Sequence, residues 1–535
     1  MGKVAALVVL HSALLGCGGG EDPGGASGGT GGSGAAGGGG TSGSGGSGGT
    51  TPKPSDCPGR LEPVALGSDA HTVGDGTAAS CTEAALRSAV DAVTNAGGGS
   101  IRFDCGGKHT ITLGAQLEVA SAQDKRVVVD GNGEITISGG KKTRIFDLDN
   151  HTNFVVQRLT LSGGFVAAGE PTETNTPSNS GAAIRHPWFG TLLVIDVRFE
   201  DNHCDSLDGE IGGGAIFAGG LTEAVVSGSE FVDNGASNGG GILNRGTTLT
   251  IVDTVFRGNR ARSTGSGQYG NGGGVYIDGM NYENPGGDLV VCGALFEDNV
   301  AMTHGSGMFA YFYEGSESFI HDSVFHANRF DNGGKGSGAL YHEAVPLSLT
   351  GTTFSDNSGG EHAGAIFLGQ KSVAQIANCT FANNRVSGNG AGLFNGAATA
   401  HFTNCTFSGN DADYGPAIFK GQSATVTLKN TLFAANTTAN EFSATSCHAP
   451  LTDLGGNLQW PEIKPTGKPD APCVSGITFA DPALLPLADN GGFSKTFALG
   501  AGSPAIGLGS GCPDTDQRGL PRSEPCDTGA YEHQP

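Results

Sequence analysis

One pattern constrains the chain more than any other: Phe followed three residues later by Asn, nine times in succession, at Phe199/Asn202, Phe231/Asn234, Phe256/Asn259, Phe296/Asn299, Phe325/Asn328, Phe354/Asn357, Phe381/Asn384, Phe407/Asn410 and Phe433/Asn436. Successive Phe residues lie 32, 25, 40, 29, 29, 27, 26 and 26 positions apart. A fixed core pattern at variable spacing is what loops inserted between stacked coils produce, and most of these intervals are shorter than the ~40 or more residues of a propeller blade. Two residues before each Phe stands a small or medium residue: Val197, Ser229, Thr254, Ala294, Ser323, Thr352, Cys379, Cys405 and Thr431. Strand alternation puts these on the face of the Phe, toward the interior, and the residues between them, from Arg198 to Leu432, on an outward column. The Asn is read as a turn residue that tolerates left-handed backbone and whose amide ladders with the next Asn.

Downstream of most Asn residues comes a glycine-led strand, as in Gly214-Ala215-Ile216, Gly274-Val275-Tyr276, Gly307-Met308-Phe309 and Gly338-Ala339-Leu340, with a large apolar third residue that is read as pointing inward too. A third strand such as residues 248–251 leads back to the next Phe. Three short strands per coil predict an all-β fold, a right-handed parallel β-helix, the hand following the usual sense of parallel crossovers. Gly at 95 of 535 residues and only 15% charged residues agree with many tight turns and few surface helices. Residues 82–93 carry helix formers with apolar residues at three- and four-residue spacing, stopped by Gly97-Gly98-Gly99. They predict an N-terminal capping helix over the open first coil.

Phe-x-x-Asn followed by Gly-Gly-Ala-Ile resembles the repeat of polymorphic outer-membrane proteins and of pectin-lyase-like β-helices, and Asp130-Gly131-Asn132-Gly133 between two apolar strands resembles their early coils. Ser503-Pro504-Ala505-Ile506, Asp516-Gln517-Arg518-Gly519, Arg522 and residues 526–532 resemble the C-terminal motif of choice-of-anchor Q domains. Gly507 stands where that motif carries Asp. Arg518 and Arg522 are expected to form ion pairs of a C-terminal cap with Asp514, Asp516, Asp527 and Glu532.

The first residues address the chain. A lysine and an apolar run over residues 4–15, too short for the ~20 that span a bilayer, read as a signal peptide. Leu14-Leu15-Gly16-Cys17 resembles a bacterial lipobox, which makes Cys17 the lipidation site and implies an outer-membrane, cell-surface location, since Gly18 and not Asp follows the cysteine. Residues 18–50 contain 19 Gly and read as a flexible tether. The expected division is signal peptide 1–16, lipidated Cys and tether 17–56, N-terminal cap and first strands 57–126, β-helix coils 127–440, and final coils with a C-terminal cap 441–535. Of 12 cysteines, local spacing pairs Cys81 with Cys105, Cys447 with Cys473 and Cys512 with Cys526; without Cys17, 11 remain, so at least one has no partner in the chain.

A formal charge of −23 offers no basic stripe for a phosphate backbone, so nucleic acid is excluded as a partner. Acidic glycans are disfavoured unless a divalent cation bridges; no cofactor is called for, with calcium left open. The adjacent Asp pair and the Gly-His-Gly of polygalacturonase-like hydrolases are both missing from the sequence. One cluster stands out over three consecutive coils: His304, Tyr311, Tyr313, Glu314, His342, Glu343, Glu361 and His362. Aromatic rings with carboxylates suit carbohydrate binding, and the pair Glu343 and Glu361 is the candidate for glycoside chemistry. A second, weaker cluster for a cation is His203, Asp205, Asp208 and Glu210. The preferred reading is a non-catalytic surface lipoprotein, held to a membrane by lipid, whose solenoid binds polysaccharide or another surface protein. The alternative is a tethered polysaccharide lyase or hydrolase.

Overall fold

The computed structural model describes residues 57–169, 177–263, 269–279, 287–313, 315–331 and 335–534. The signal peptide, Cys17, the tether and Glu314 lie outside the described residues. The rest is an all-β parallel solenoid whose coils stack into three walls. Each coil runs first through a bent pair of strands, then a short strand, then the glycine-led strand. Thr191–Ile195 and Arg198–Glu200 belong to the first wall, His203–Cys204 to the second and Ile216–Gly219 to the third. Every interstrand register between consecutive coils is parallel, and each repeat Phe pairs with the next, Phe199 with Phe231, Phe231 with Phe256, and so on to Phe433.

The Phe column is inward, as alternation demands. Its nine rings are buried and stack at centroid distances of 4.3–5.4 Å. Beside it the repeat Asn side chains form a continuous buried ladder. Each Nδ2 donates to the next Asn Oδ1 at 2.9–3.0 Å, from Asn202 to Asn436. The left-handed residue of this turn is not the Asn itself, as the sequence reading had it, but the residue before it: Asp201, Asp233, Gly258, Asp298, Ala327, Asp356, Asn383, Gly409 and Ala435 all have φ between 53° and 72°. The Asn keeps ordinary backbone and turns its amide inward, where the ladder satisfies it. The bend within the first wall is also left-handed, at Asp196, Gly228, Asp253, Gly293, Asp322, Gly351, Asn378, Asn404 and Asn430, with φ of 46–66°. These positions take Asp, Asn or Gly because those residues tolerate that region. The glycine pairs that open the third-wall strands have a packing reason: a Cβ on Gly273 would lie 2.2 Å from the carbonyl oxygen of Ser306 on the next coil.

Helix α1, Glu83–Asn95, is the expected cap. Thr82 accepts from the Ala85 N–H at its start, and Leu86, Ala89, Val90 and Val93 bury against the first coil. All three local disulfides form, Cys81–Cys105, Cys447–Cys473 and Cys512–Cys526, and a fourth joins Cys57 to Cys292 across 235 residues. Cys204, Cys379 and Cys405 are buried free thiols, and burial pushes the Cys204 thiol up to about 12.

The fourth disulfide belongs to a strap. Beyond Cys57, Arg60 pairs with Asp196 at 2.6 Å, Leu61 N–H donates to Ser227, and Val64 exchanges two hydrogen bonds with Gln157. This N-terminal strap crosses the coils along the bend groove of the first wall. The C-terminal segment occupies the same groove farther on. Gln517 accepts from Thr380 Oγ1 and donates to Thr353 Oγ1, Asn404 donates to the Asp527 carbonyl, and Ala530 N–H donates to Thr406 Oγ1. Expected only as an end cap, this segment also lies flat against several coils. Its expected ion pairs form in full burial, Arg518–Asp516 at 2.7 Å and Arg522–Glu532 at 3.1 Å.

Candidate functional site

The three walls present different surfaces. The bend groove of the first is filled by the two terminal segments. Along the second wall and its turns, charged groups neutralise one another: Arg260 with Asp331, Arg262 with Asp205 at 3.5 Å, Arg385 with Asp411 at 3.3 Å. The third wall carries two outward columns of another kind.

Its strands read inward-outward-inward-outward from the residue after the glycine pair. The first outward column is Phe217, Leu243, Tyr276, Phe309, Tyr341, Phe367, Phe394 and Phe419 in successive register. From Tyr276 onward the rings are half-buried and stack on one another at 4.6–5.1 Å, with His448 closing the stack 4.4 Å from Phe419. Stacked face to face, these rings spend their π-faces on each other and show solvent mainly their edges. The second outward column is Arg245, Asp278, Tyr311 and Glu343, again in direct register. Arg245 is buried and pairs with Glu210 at 2.7 Å. Tyr341 donates its hydroxyl to Glu343 at 2.6 Å. Tyr313 packs over Gly279, where a Cβ would meet its ring at 3.0 Å, and sits edge-on to Tyr311 with 42% of its surface exposed.

Burial pushes the Asp278 carboxyl up from its ordinary range, against the pull of Arg245. Burial and the neighbouring carboxylates raise Tyr276, Tyr311, Tyr313 and Tyr341 as well, so the phenols stay protonated and serve as hydrogen-bond donors. No hydrogen bond among the described residues ties the Asp278 carboxylate. Asp278 and Glu343 flank Tyr311 two coil steps of ~4.8 Å apart.

The sequence cluster resolves into parts. Tyr311, Tyr313 and Glu343 do share this wall. His342 does not: it alternates inward with Leu340, is fully buried, and hydrogen-bonds Ser318 and Ser372 through its two ring nitrogens. Burial holds it neutral, pushed down to about 3. Glu361 is exposed on Ser358–His362 of the second wall, so Glu343 and Glu361 stand on different walls and do not form the expected pair. His362 stacks on Phe394 at 4.7 Å, at the edge of the aromatic column, and Asn389 bonds its Nδ1. His304 lies against Tyr341, ring centroids 5.0 Å apart, lowered to about 4 by burial, with a buried Nδ1 that meets no hydrogen-bond partner. The weaker cluster disperses: His203 bonds Asp201, Asp205 pairs with Arg262, Glu210 with Arg245, and Asp208 caps the Glu210 N–H. Among the described residues no group of three or more His, Cys, Asp or Glu could hold a metal ion. Asp278 and Arg245 were not singled out in sequence, Glu210 was placed in the weaker cation cluster, and Tyr276 and Phe309, read there as inward with the third residue of each glycine-led strand, face outward because Val275 and Met308 before them take the inward position.

A family model described as a right handed beta helix region matches residues 268–433, which include most of this wall's aromatic stack. The described body is thus a right-handed parallel β-helix. No curated protein matches the chain.

Proposed function

We propose that this protein is a non-catalytic, lipid-anchored surface β-helix whose third wall binds polysaccharide. The observation that carries the reading is the outward column Asp278, Tyr311 and Glu343 beside the exposed Tyr313 ring, on a wall whose register neither terminal strap crosses among the described residues. Carboxylates and phenols give directional bonds to sugar hydroxyls, and an exposed ring gives a stacking face. The described body begins at Cys57, which is bonded to Cys292 on the first wall. The lipobox at Cys17 supports the anchor, and the outer-membrane address rests on Gly18.

The test is electrophoresis of the full chain carrying Cys17→Ala through gels loaded with different polysaccharides, paired with a reducing-end assay on the same mixtures. The reading expects retardation by at least one glycan, lost in Tyr313→Ala, with no new reducing ends. Product release that stops in Glu343→Gln or Asp278→Asn would replace it with the hydrolase or lyase alternative.

A further inference from the structure

We infer that the glycan bound by the third wall carries free amino groups, so that its ligand is a polymer of amino sugars with exposed ammonium charge rather than a uronate or a neutral polymer. The inference rests on the binding role just proposed and names its ligand.

Charge comes first. The second column carries two carboxylates, Asp278 and Glu343, on either side of Tyr311 and one cation, Arg245, which already pairs with Glu210, so the column is net negative. The chain as a whole carries −23, so a polyuronate meets repulsion both locally and at long range. A half-buried carboxylate such as Asp278, without a hydrogen bond among the described residues, is costly to keep ionised, and an ammonium donor arriving beside it recovers that cost.

Aromatic geometry points the same way. Neutral sugars bind tightly where they can lie on ring faces, but the faces from Tyr276 to Phe419 are spent in the stack. The free face is that of Tyr313, held edge-on to Tyr311 at 5.8 Å and next to Asp278 through Gly279. An open aromatic face beside a carboxylate is the arrangement that attracts an ammonium group by its charge and by the ring quadrupole together. An independent feature is His304. Its buried Nδ1 meets no hydrogen-bond partner among the described residues, and its ring packs against Tyr341, the phenol that donates to Glu343. The coil step of ~4.8 Å is close to the rise of one unit in an extended sugar chain, so successive units can meet successive coils, which a peptide's lysines would not do in register.

The test uses the full chain with Cys17→Ala and three probes of matched length: fully deacetylated chitosan oligomers, the same oligomers fully N-acetylated, and oligogalacturonate. Expected is at least tenfold tighter binding of the deacetylated probe than of its acetylated twin, no binding of the galacturonate, and a tenfold loss in Glu343→Gln. Asp278→Asn should lose as much, and circular dichroism checks that this less exposed site still folds. Equal affinity for the acetylated and deacetylated probes overturns the ammonium inference while leaving a glycan-binding wall. Preference for galacturonate overturns it as well. Binding of none of the three, or full competition by polylysine at equal charge, overturns the glycan ligand itself.

Discussion

Asn328 donates its side-chain amide both to Asn357 Oδ1 at 3.0 Å on the next coil and to the Phe296 carbonyl at 2.9 Å on the preceding one, while its own Oδ1 accepts from Asn299. Every link of the ladder repeats this double engagement, so the Asn is held by what both neighbours need. Asn328→Ala strands two donors on Asn299 and the Phe296 carbonyl in a dry core. A loss of about 3 kcal/mol is expected, from ~1–3 per orphaned buried group. Asn328→Asp should be worse, since it points a carboxylate at a carbonyl. Urea unfolding followed by far-ultraviolet circular dichroism reads both.

The N-terminal strap is fastened at one covalent point. Opening the 235-residue loop between Cys57 and Cys292 removes about 5 kcal/mol in the loop-entropy account, but the strap can detach alone while the coils persist. Cys57→Ser should therefore leave the circular dichroism spectrum unchanged and expose Arg60, now released from Asp196, to trypsin. Protection of Arg60 equal to that of the unmodified chain would show that the hydrogen bonds to Ser227 and Gln157 hold the strap without the disulfide.

At the other end, Glu532 takes the charge of the buried Arg522 and also accepts the Asp527 and Ser523 N–H groups. Glu532→Gln leaves that guanidinium without its counter-charge, a change in the range of ~3–5 kcal/mol for a broken buried pair. The expected readout is faster hydrogen exchange at Ala530, whose N–H is bonded to Thr406, with the Phe-column strands unaffected.

Stability should fall in acid for a reason lodged in the core. His342 and His186 are fully buried and held neutral, at about 3 and about 4, against 6.5 when exposed. Above pH 6.5 neither the folded nor the unfolded chain protonates them. As pH falls below 6.5 only the unfolded chain takes up these protons, so each residue lowers stability by roughly 1.4 kcal/mol per pH unit until its folded value is reached. Melting temperatures between pH 7.5 and 4.5 should decline, and His342→Leu, matching its register neighbour Leu368, should flatten the decline.

The coils were legible because a solenoid repeats its physics: the Phe and Asn of one turn recur nine times, with a glycine-led strand after most of them, and that repetition outvotes loop noise. What was not legible is what occurs once. Gln517 meets Thr353 and Thr380 across 164 and 137 residues, and Cys57 meets Cys292 across 235, with no periodicity to announce either contact. The wall was half legible. Tyr311 and Glu343 follow from proximity in sequence, but proximity also swept in His342, which the parity of Leu340 places inside, and Glu361, which belongs to a different strand of its coil. Parity applied one coil earlier would have found Asp278, the residue in register with Tyr311.

The most direct test of the central claim is the change in glycan affinity on removing the exposed Tyr313 ring beside the columns. For the full chain with Cys17→Ala, the account predicts that whichever polysaccharide retards it ceases to do so in Tyr313→Ala, while Phe442→Ala, a still more exposed aromatic far along the chain and off the columns, leaves retardation intact. Retardation that survives Tyr313→Ala and Glu343→Gln together would contradict a binding site on the third wall.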